Sequence, residues 1–258
     1  MVAKVGFHPM DASAGWRDDT GSSGWLGVSF TIMITIPPRP FLDAPPDPSG
    51  AVAAGSARCV IAMAASVGGL HALSVILRGL PEDFPAAITI VMHLSPDHKS
   101  LLAGILECRT SLRVRQAQPG DILCHGCVFV APPNHHLTVS EGGLLELSSP
   151  SAEKVHHARP SAEPLFYSVA SVYQKHAIAV VLTGGDGDGS LGVRVIKDQG
   201  GIVIAQDRST SKDFSMPESA IETGQVDFIL PLEEIASKLM ELARNCDGTA
   251  AGCGEDAA

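Results

Sequence analysis

The chain has 258 residues, of which 45% are apolar, 5% aromatic and 18% charged, so it can bury one sizeable core or two small ones and is not disordered throughout. Eighteen basic against 28 acidic residues leave a formal charge of −10, which removes the electrostatic basis for nonspecific nucleic-acid binding and for docking on an anionic membrane. Six scattered cysteines do not suggest a disulfide scaffold in a chain of this length. The long apolar stretch 25–36 is interrupted by Ser29, Thr31 and Thr35 and is too short to span a bilayer; with no secretory signal pattern at the start, a cytoplasmic protein is expected.

Residues 1–56 are rich in Gly, Ser, Pro and Asp and close with Pro37-Pro38-Arg39-Pro40 and Pro45-Pro46-Asp47-Pro48, a composition that reads as a linker-like or disordered extension. Residues 25–36 could instead add one strand, and Met33 is an alternative start. From Arg58 the texture becomes short apolar runs, each followed by a turn and an amphipathic stretch, the alternation of βαβ units. Strands are expected at 59–64 and 87–92, and helices at 68–80 and 99–108. Between 112 and 147 the segments shorten, with apolar pieces at 127–131, 136–139 and 144–147, and an antiparallel hairpin fits the region. The alternation resumes with helix 162–174, strand 177–182, helix 190–199, strand 201–205, a short helix from Pro217, strand 227–230 and helix 232–245. The expected fold is α/β: a three-layer, doubly wound, mostly parallel sheet with an antiparallel hairpin insertion, spanning residues 57–245 and followed by a flexible tail, 246–258.

Three strand ends carry chemistry. The first runs into Ala64-Ala65-Ser66-Val67-Gly68-Gly69, a small-residue turn that could expose a nucleophilic hydroxyl, with the Val67 N–H as a local oxyanion donor. Equally, a serine there could simply cap the next helix. The second ends in Val91-Met92-His93-Leu94-Ser95-Pro96, which puts His93 at the same sheet edge if the two strands are neighbours, within reach of Ser66 as a general base. The third delivers Thr183-Gly184-Gly185-Asp186-Gly187-Asp188-Gly189, where an aspartate could orient the histidine. The same Asp-Gly cluster could cap a helix, and a calcium loop would lack its remaining acidic ligands and closing Glu. Cys124-His125-Gly126-Cys127 has the spacing of a redox pair or half a zinc site, with His135 and His136 downstream, although a structural role is the plainer reading. Gly68-Gly69 lacks the Lys-Ser/Thr of a P-loop.

The Ser, His and Asp strings together resemble the motifs of the CheB-type protein-glutamate methylesterases of bacterial chemotaxis, in that family's chain order. The resemblance runs from about Arg58 to Arg244 and includes Val130-Ala131-Pro132-Pro133-Asn134-His135-His136-Leu137, Arg159-Pro160-Ser161-Ala162-Glu163-Pro164-Leu165-Phe166 and Met216-Pro217-Glu218-Ser219-Ala220. It implies a serine nucleophile at Ser66, a base at His93 and an orienting acid at Asp188, with Val67, Gly184, Gly185 and Met216 around the oxyanion and substrate cleft, and neither cofactor nor metal. It further implies hydrolysis of γ-glutamyl methyl esters on methyl-accepting chemoreceptors, leaving room for glutamine deamidation, and a link to a separate response regulator or signalling kinase. Residues 1–56 are too short for a receiver domain and show no strand-end aspartate in an α/β pattern, so phosphorylation control in cis is not expected. Four positions depart from the family pattern: Ala64 replaces its first glycine, Gly185 its usual Met, Asp186 the following Gly, and Glu218 a common basic residue. Gly185 and Asp186 leave open a catalytically weak interaction module, and a small-molecule serine esterase is a further alternative.

Overall fold

The computed structural model describes residues 57–93 and 100–246. Expectations for residues 1–56, for the tail beyond Cys246 and for Leu94-Ser95-Pro96 lie outside the described residues. Strands β1 (Val60–Ala65), β2 (Ala87–Met92), β3 (Arg113–Gln116), β4 (Cys127–Val130), β7 (Ala177–Val181), β8 (Ile202–Gln206) and β9 (Phe228–Leu230) form one sheet, and β5 (Leu137–Ser140) pairs antiparallel with β6 (Leu144–Leu147). Helices are α1 (Gly69–Arg78), α2 (Leu102–Glu107), α3 (Ala162–Tyr173), α4 (Ser190–Asp198), α5 (Ser215–Glu222) and α6 (Leu232–Cys246). The large sheet has the order β3-β4-β2-β1-β7-β8-β9, and every pairing in it is parallel.

A parallel sheet covered on both faces needs strands that are apolar throughout, and β1 is buried at all six positions. Ile61, Met63 and Ala65 face the layer formed by α1, α2 and α6, where Leu73, Leu106, Ile235 and Leu239 lie. Val60, Ala62 and Ala64 face α3, α4, α5 and the β5-β6 hairpin, through Phe166, Val193, Met216 and Leu145. The period of two along the strand thus divides the interior into two cores. From β1 the chain passes to β2, crosses to β3 at the edge and steps back to β4 between them, and after the hairpin it returns to the other side of β1 with β7. Strand order reverses at β1, and in open α/β sheets ligands bind at the carboxyl end of such a point.

Two sequence expectations change. Cys127–Val130 belongs to the parallel sheet instead of the hairpin region, and Arg113–Gln116 is a strand that composition did not reveal. β3 is an edge strand whose Arg113 and Arg115 are exposed while Val114 is buried, so its apolar signal is a single residue. No helix among the described residues is long and apolar enough to cross a membrane.

Candidate active site

Ser66 occupies the turn between β1 and α1. Its N–H donates to the Thr183 carbonyl (3.0 Å), and its carbonyl accepts from the Gly69 N–H (2.9 Å), so the turn is tied both to the loop after β7 and to the helix behind it. Gly68 has φ +85°, and a Cβ there would lie 2.8 Å from Cβ of Lys212, so the turn into α1 requires glycine for conformation and for space. Val67, at 46% exposure, is the surface residue of the turn.

Thr183, at the end of β7, fastens three segments. Its hydroxyl donates to the Val67 carbonyl (2.8 Å) and accepts from the Asp213 N–H (2.9 Å), while its N–H donates to Oε1 of buried Gln206 (2.9 Å). Gln206 in turn donates through Nε2 to the Thr210 carbonyl (2.9 Å). Buried polar groups are affordable only when matched in this way. At Gly184 any Cβ would fall 2.0 Å from Sδ of Met216 and 3.0 Å from Cβ of Ser66. Met216 is therefore packed beneath Gly184 and is itself buried, so it supports the loop from below and is not on the surface where the sequence reading put it. The Gly184 N–H is engaged by the Asp213 carbonyl (2.9 Å), whereas the N–H groups of Val67 and Gly185 meet no acceptor among the described residues.

His93 leaves β2 beside this turn, its N–H bonded to the Ala65 carbonyl (3.2 Å). Its ring, only 14% exposed, is gripped at both nitrogens: Nε2 lies 2.8 Å from Oδ2 of Asp188, and Nδ1 lies 3.0 Å from Oδ2 of Asp186. Asp188 is buried, and a buried carboxylate is costly unless donors match it. Ser161 Oγ donates to its Oδ1 (2.6 Å) and the Ala162 N–H to its Oδ2 (2.6 Å), in addition to His93. Ser161 is also the N-cap of α3, accepting from the Glu163 N–H (3.3 Å), so one hydroxyl starts the helix and holds the acid. Asp186 has a 39% exposed side chain and accepts from the Asp188 N–H through Oδ1 (3.1 Å).

Burial by itself would lower the His93 pKa, but the hydrogen bonds and negative charges of Asp186 and Asp188 outweigh it and push it up to about 9. The same hydrogen bond from His93 holds the Asp186 carboxyl below the ordinary carboxylate range, against the opposing effect of burial. Behind the site, burial pushes the Glu163 carboxyl upward, although Leu191 N–H donates to its Oε1 (3.0 Å).

Ligand atoms of His156, Glu163 and Asp188 lie within 4.8 Å of one another. The oxygens of Asp188 in that trio already accept from Ser161, Ala162 and His93, so it forms part of a hydrogen-bonded network. Cys124 and Cys127 form a disulfide, which leaves neither sulfur as a metal ligand. The bridge lies at the amino end of β4, where the Gly126 N–H bonds the carbonyls of Phe84 and Ala86, at the opposite sheet edge from Ser66. Glu218 on α5 is ion-paired with Arg208, whose guanidinium stacks 4.3 Å from the centroid of Phe214, so a basic group adjoins the acidic departure.

Sequence reasoning singled out Ser66, His93 and Asp188, and they stand on loops from three adjoining strands, β1, β2 and β7. It missed Ser161, Thr183 and Gln206 as supports. Their signal was faint: a serine ahead of an apolar helix, and polar residues ending two apolar strands.

A doubly wound sheet with Ser, His and Asp on neighbouring carboxyl-edge loops is a layout suited to acyl transfer. The family model described as CheB methylesterase matches residues 61–239. A protein-glutamate methylesterase/protein-glutamine glutaminase 2 of Anaeromyxobacter dehalogenans is 46% identical over 185 residues, 72% of this chain and 53% of that relative. A protein-glutamate methylesterase/protein-glutamine glutaminase of Pyrococcus horikoshii is 38% identical over 186 residues, 72% of this chain and 50% of its own. The crystal structure of the Thermotoga maritima CheB methylesterase catalytic domain superposes with a TM-score of 0.68 at 35% identity, covering 71% of this chain and 98% of that one. This chain belongs to the CheB methylesterase family, and it spans about half the length of the two curated relatives.

Proposed function

We propose that the chain hydrolyses γ-glutamyl methyl esters on the cytoplasmic part of methyl-accepting chemoreceptors, with deamidation of glutamine at the same sites as a second reaction. What supports this reading is the placement of Ser66, His93 and Asp188 on loops of adjoining strands, with His93 hydrogen-bonded to Asp188, in a chain whose relatives are named for these two activities. Asp188 holds Nε2 of His93, so Nδ1 is the nitrogen that takes the Ser66 proton as Oγ attacks the ester carbonyl. The N–H groups of Val67 and Gly185 hold the oxyanion. Methanol departs with the proton from Nδ1, and water, deprotonated by the same nitrogen, attacks the acyl-enzyme to release glutamate and free Ser66. With a glutamine substrate the leaving group is ammonia.

Methanol release from methylated receptor by the purified chain tests this. Turnover that disappears in Ser66→Ala, with the fold intact by circular dichroism, is expected; turnover that survives the change would remove Ser66 from the mechanism. A second reading, an interaction module with little turnover, is favoured by the contact between Asp186 and His93. An activated ester separates the two, since a burst of leaving group equal to the enzyme concentration belongs to the enzyme and its absence to the module.

A further inference from the structure

The three-residue mechanism gives Asp186 no task, yet its carboxylate sits on the ring nitrogen that mechanism uses. Nδ1 of His93 is 3.0 Å from Oδ2 of Asp186 while Nε2 is held by Asp188. An imidazole with both nitrogens directed at carboxylates is satisfied as the imidazolium, which has no lone pair left for a serine proton. Among the described residues, the charged groups acting on the cluster are Asp186 and Asp188 from the loop after β7, Glu163 from α3 and His156 from the segment before it.

We propose that Asp186 is a displaceable latch on the His93 base: its carboxylate occupies Nδ1 in the resting site, and turnover requires it to swing out toward solvent. The proposal rests on the reading of Ser66, His93 and Asp188 given above. Three features fit a group that can leave. Its side chain is 39% exposed where that of Asp188 is fully buried. It stands between Gly185 and Gly187, which gives the loop backbone freedom that side chains would restrict. Besides His93, its described anchor is the neighbouring Asp188 N–H. The latch also accounts for a cost at neutral pH, because a base with a pKa of about 9 is neutral in only about one molecule in a hundred at pH 7.

Two substitutions probe the latch differently. Asp186→Asn can keep Oδ1 on the Asp188 N–H and would turn its amide N–H toward Nδ1, a partner that favours the neutral ring. Asp186→Gly removes the side chain and clears Nδ1 altogether. The experiment follows methanol release from methylated receptor between pH 6 and 10 for wild type, both variants and Ser66→Ala. Alongside it, the His93 imidazole is titrated by NMR, with His93→Gln identifying its signal. In wild type the activity limb and the NMR titration should both lie near pH 9. In both Asp186 variants they should fall by at least one pH unit. For Asp186→Gly the rate at pH 7 should rise about tenfold, with little change at pH 9.5, where the ring is already largely neutral.

Unchanged titrations and rates, or a loss of activity at every pH in both variants, would overturn the latch, the second outcome making Asp186 a positioning residue. Failure of the underlying reading has a different signature, namely Ser66→Ala that still turns over.

Discussion

The two carboxylates flanking His93 come from one loop, two residues apart, and their surroundings are opposite. Asp188 is buried at the amino end of α3, with Ser161, Ala162 and His93 all directed at it. Asp186 is at the rim, between glycines, and half open to water. Proximity to the same imidazole is therefore not what distinguishes them. What does is the number of donors that follow each oxygen and whether water competes for it: the first fixes a charge in place, the second leaves it free to move.

The contrast breaks most severely on the buried side. Asp188→Asn should lower the rate of methanol release by a factor on the order of 10⁴, because an amide cannot hold Nε2–H and accept from Ser161 and Ala162 together. A variant within tenfold of wild type would mean that Asp188 does not orient the base. Ser161→Ala removes one donor from that carboxylate and the cap from α3, and should cost about 2–4 kcal/mol in urea denaturation, with a smaller loss of rate. If its stability were unchanged, the account of a donor-locked acid would not stand.

Stability against pH sharpens the comparison from the other side. The folded-state pKa of His93 is raised from 6.5 to about 9, so the stabilisation gained from its charged form is full below pH 6.5 and drains away as pH rises through 9. Wild type should lose more of its urea midpoint than Asp186→Asn between pH 6 and 9.5; parallel losses would remove Asp186 as a cause of the shift. The smallest effect belongs to the far edge of the sheet. Replacing Cys124 and Cys127 by serine opens a very short loop, so stability should fall by about 2 kcal/mol or less, while the activity at the opposite edge stays unchanged.

The strands were legible where both faces are buried, because a run such as Val60–Ala65 is apolar at every position, as a strand covered on both sides requires. Arg113–Gln116 was not, since an edge strand needs only Val114 to face inward and its arginines read as loop. Ser66, His93 and Asp188 drew attention because each follows an apolar strand in a run of small or polar residues. The approach of Asp186 to Nδ1 could not be read. Side-chain direction in Gly184-Gly185-Asp186-Gly187 is decided by contacts across the fold, among them Met216 under Gly184 and Thr183 against Asp213. Gln206 escaped notice for the same reason, its partners lying on loops distant from each other in the chain.

The order β2-β1-β7 separates two kinds of heritable change. Ser66, His93 and the acidic loop hang from different strands, and neighbouring strands keep a spacing of about 4.8 Å set by backbone hydrogen bonds, whatever the loops contain. Mutations inside the strands act on whether the groups meet, and those strands are closed to most of them. On the latch proposed above, mutations at loop positions such as 186 would alter instead the pH at which His93 is ready, and they would meet little resistance from the core. On that reading a lineage carrying this scaffold would move its working pH by a single codon while the distances between its reactive groups are inherited unaltered.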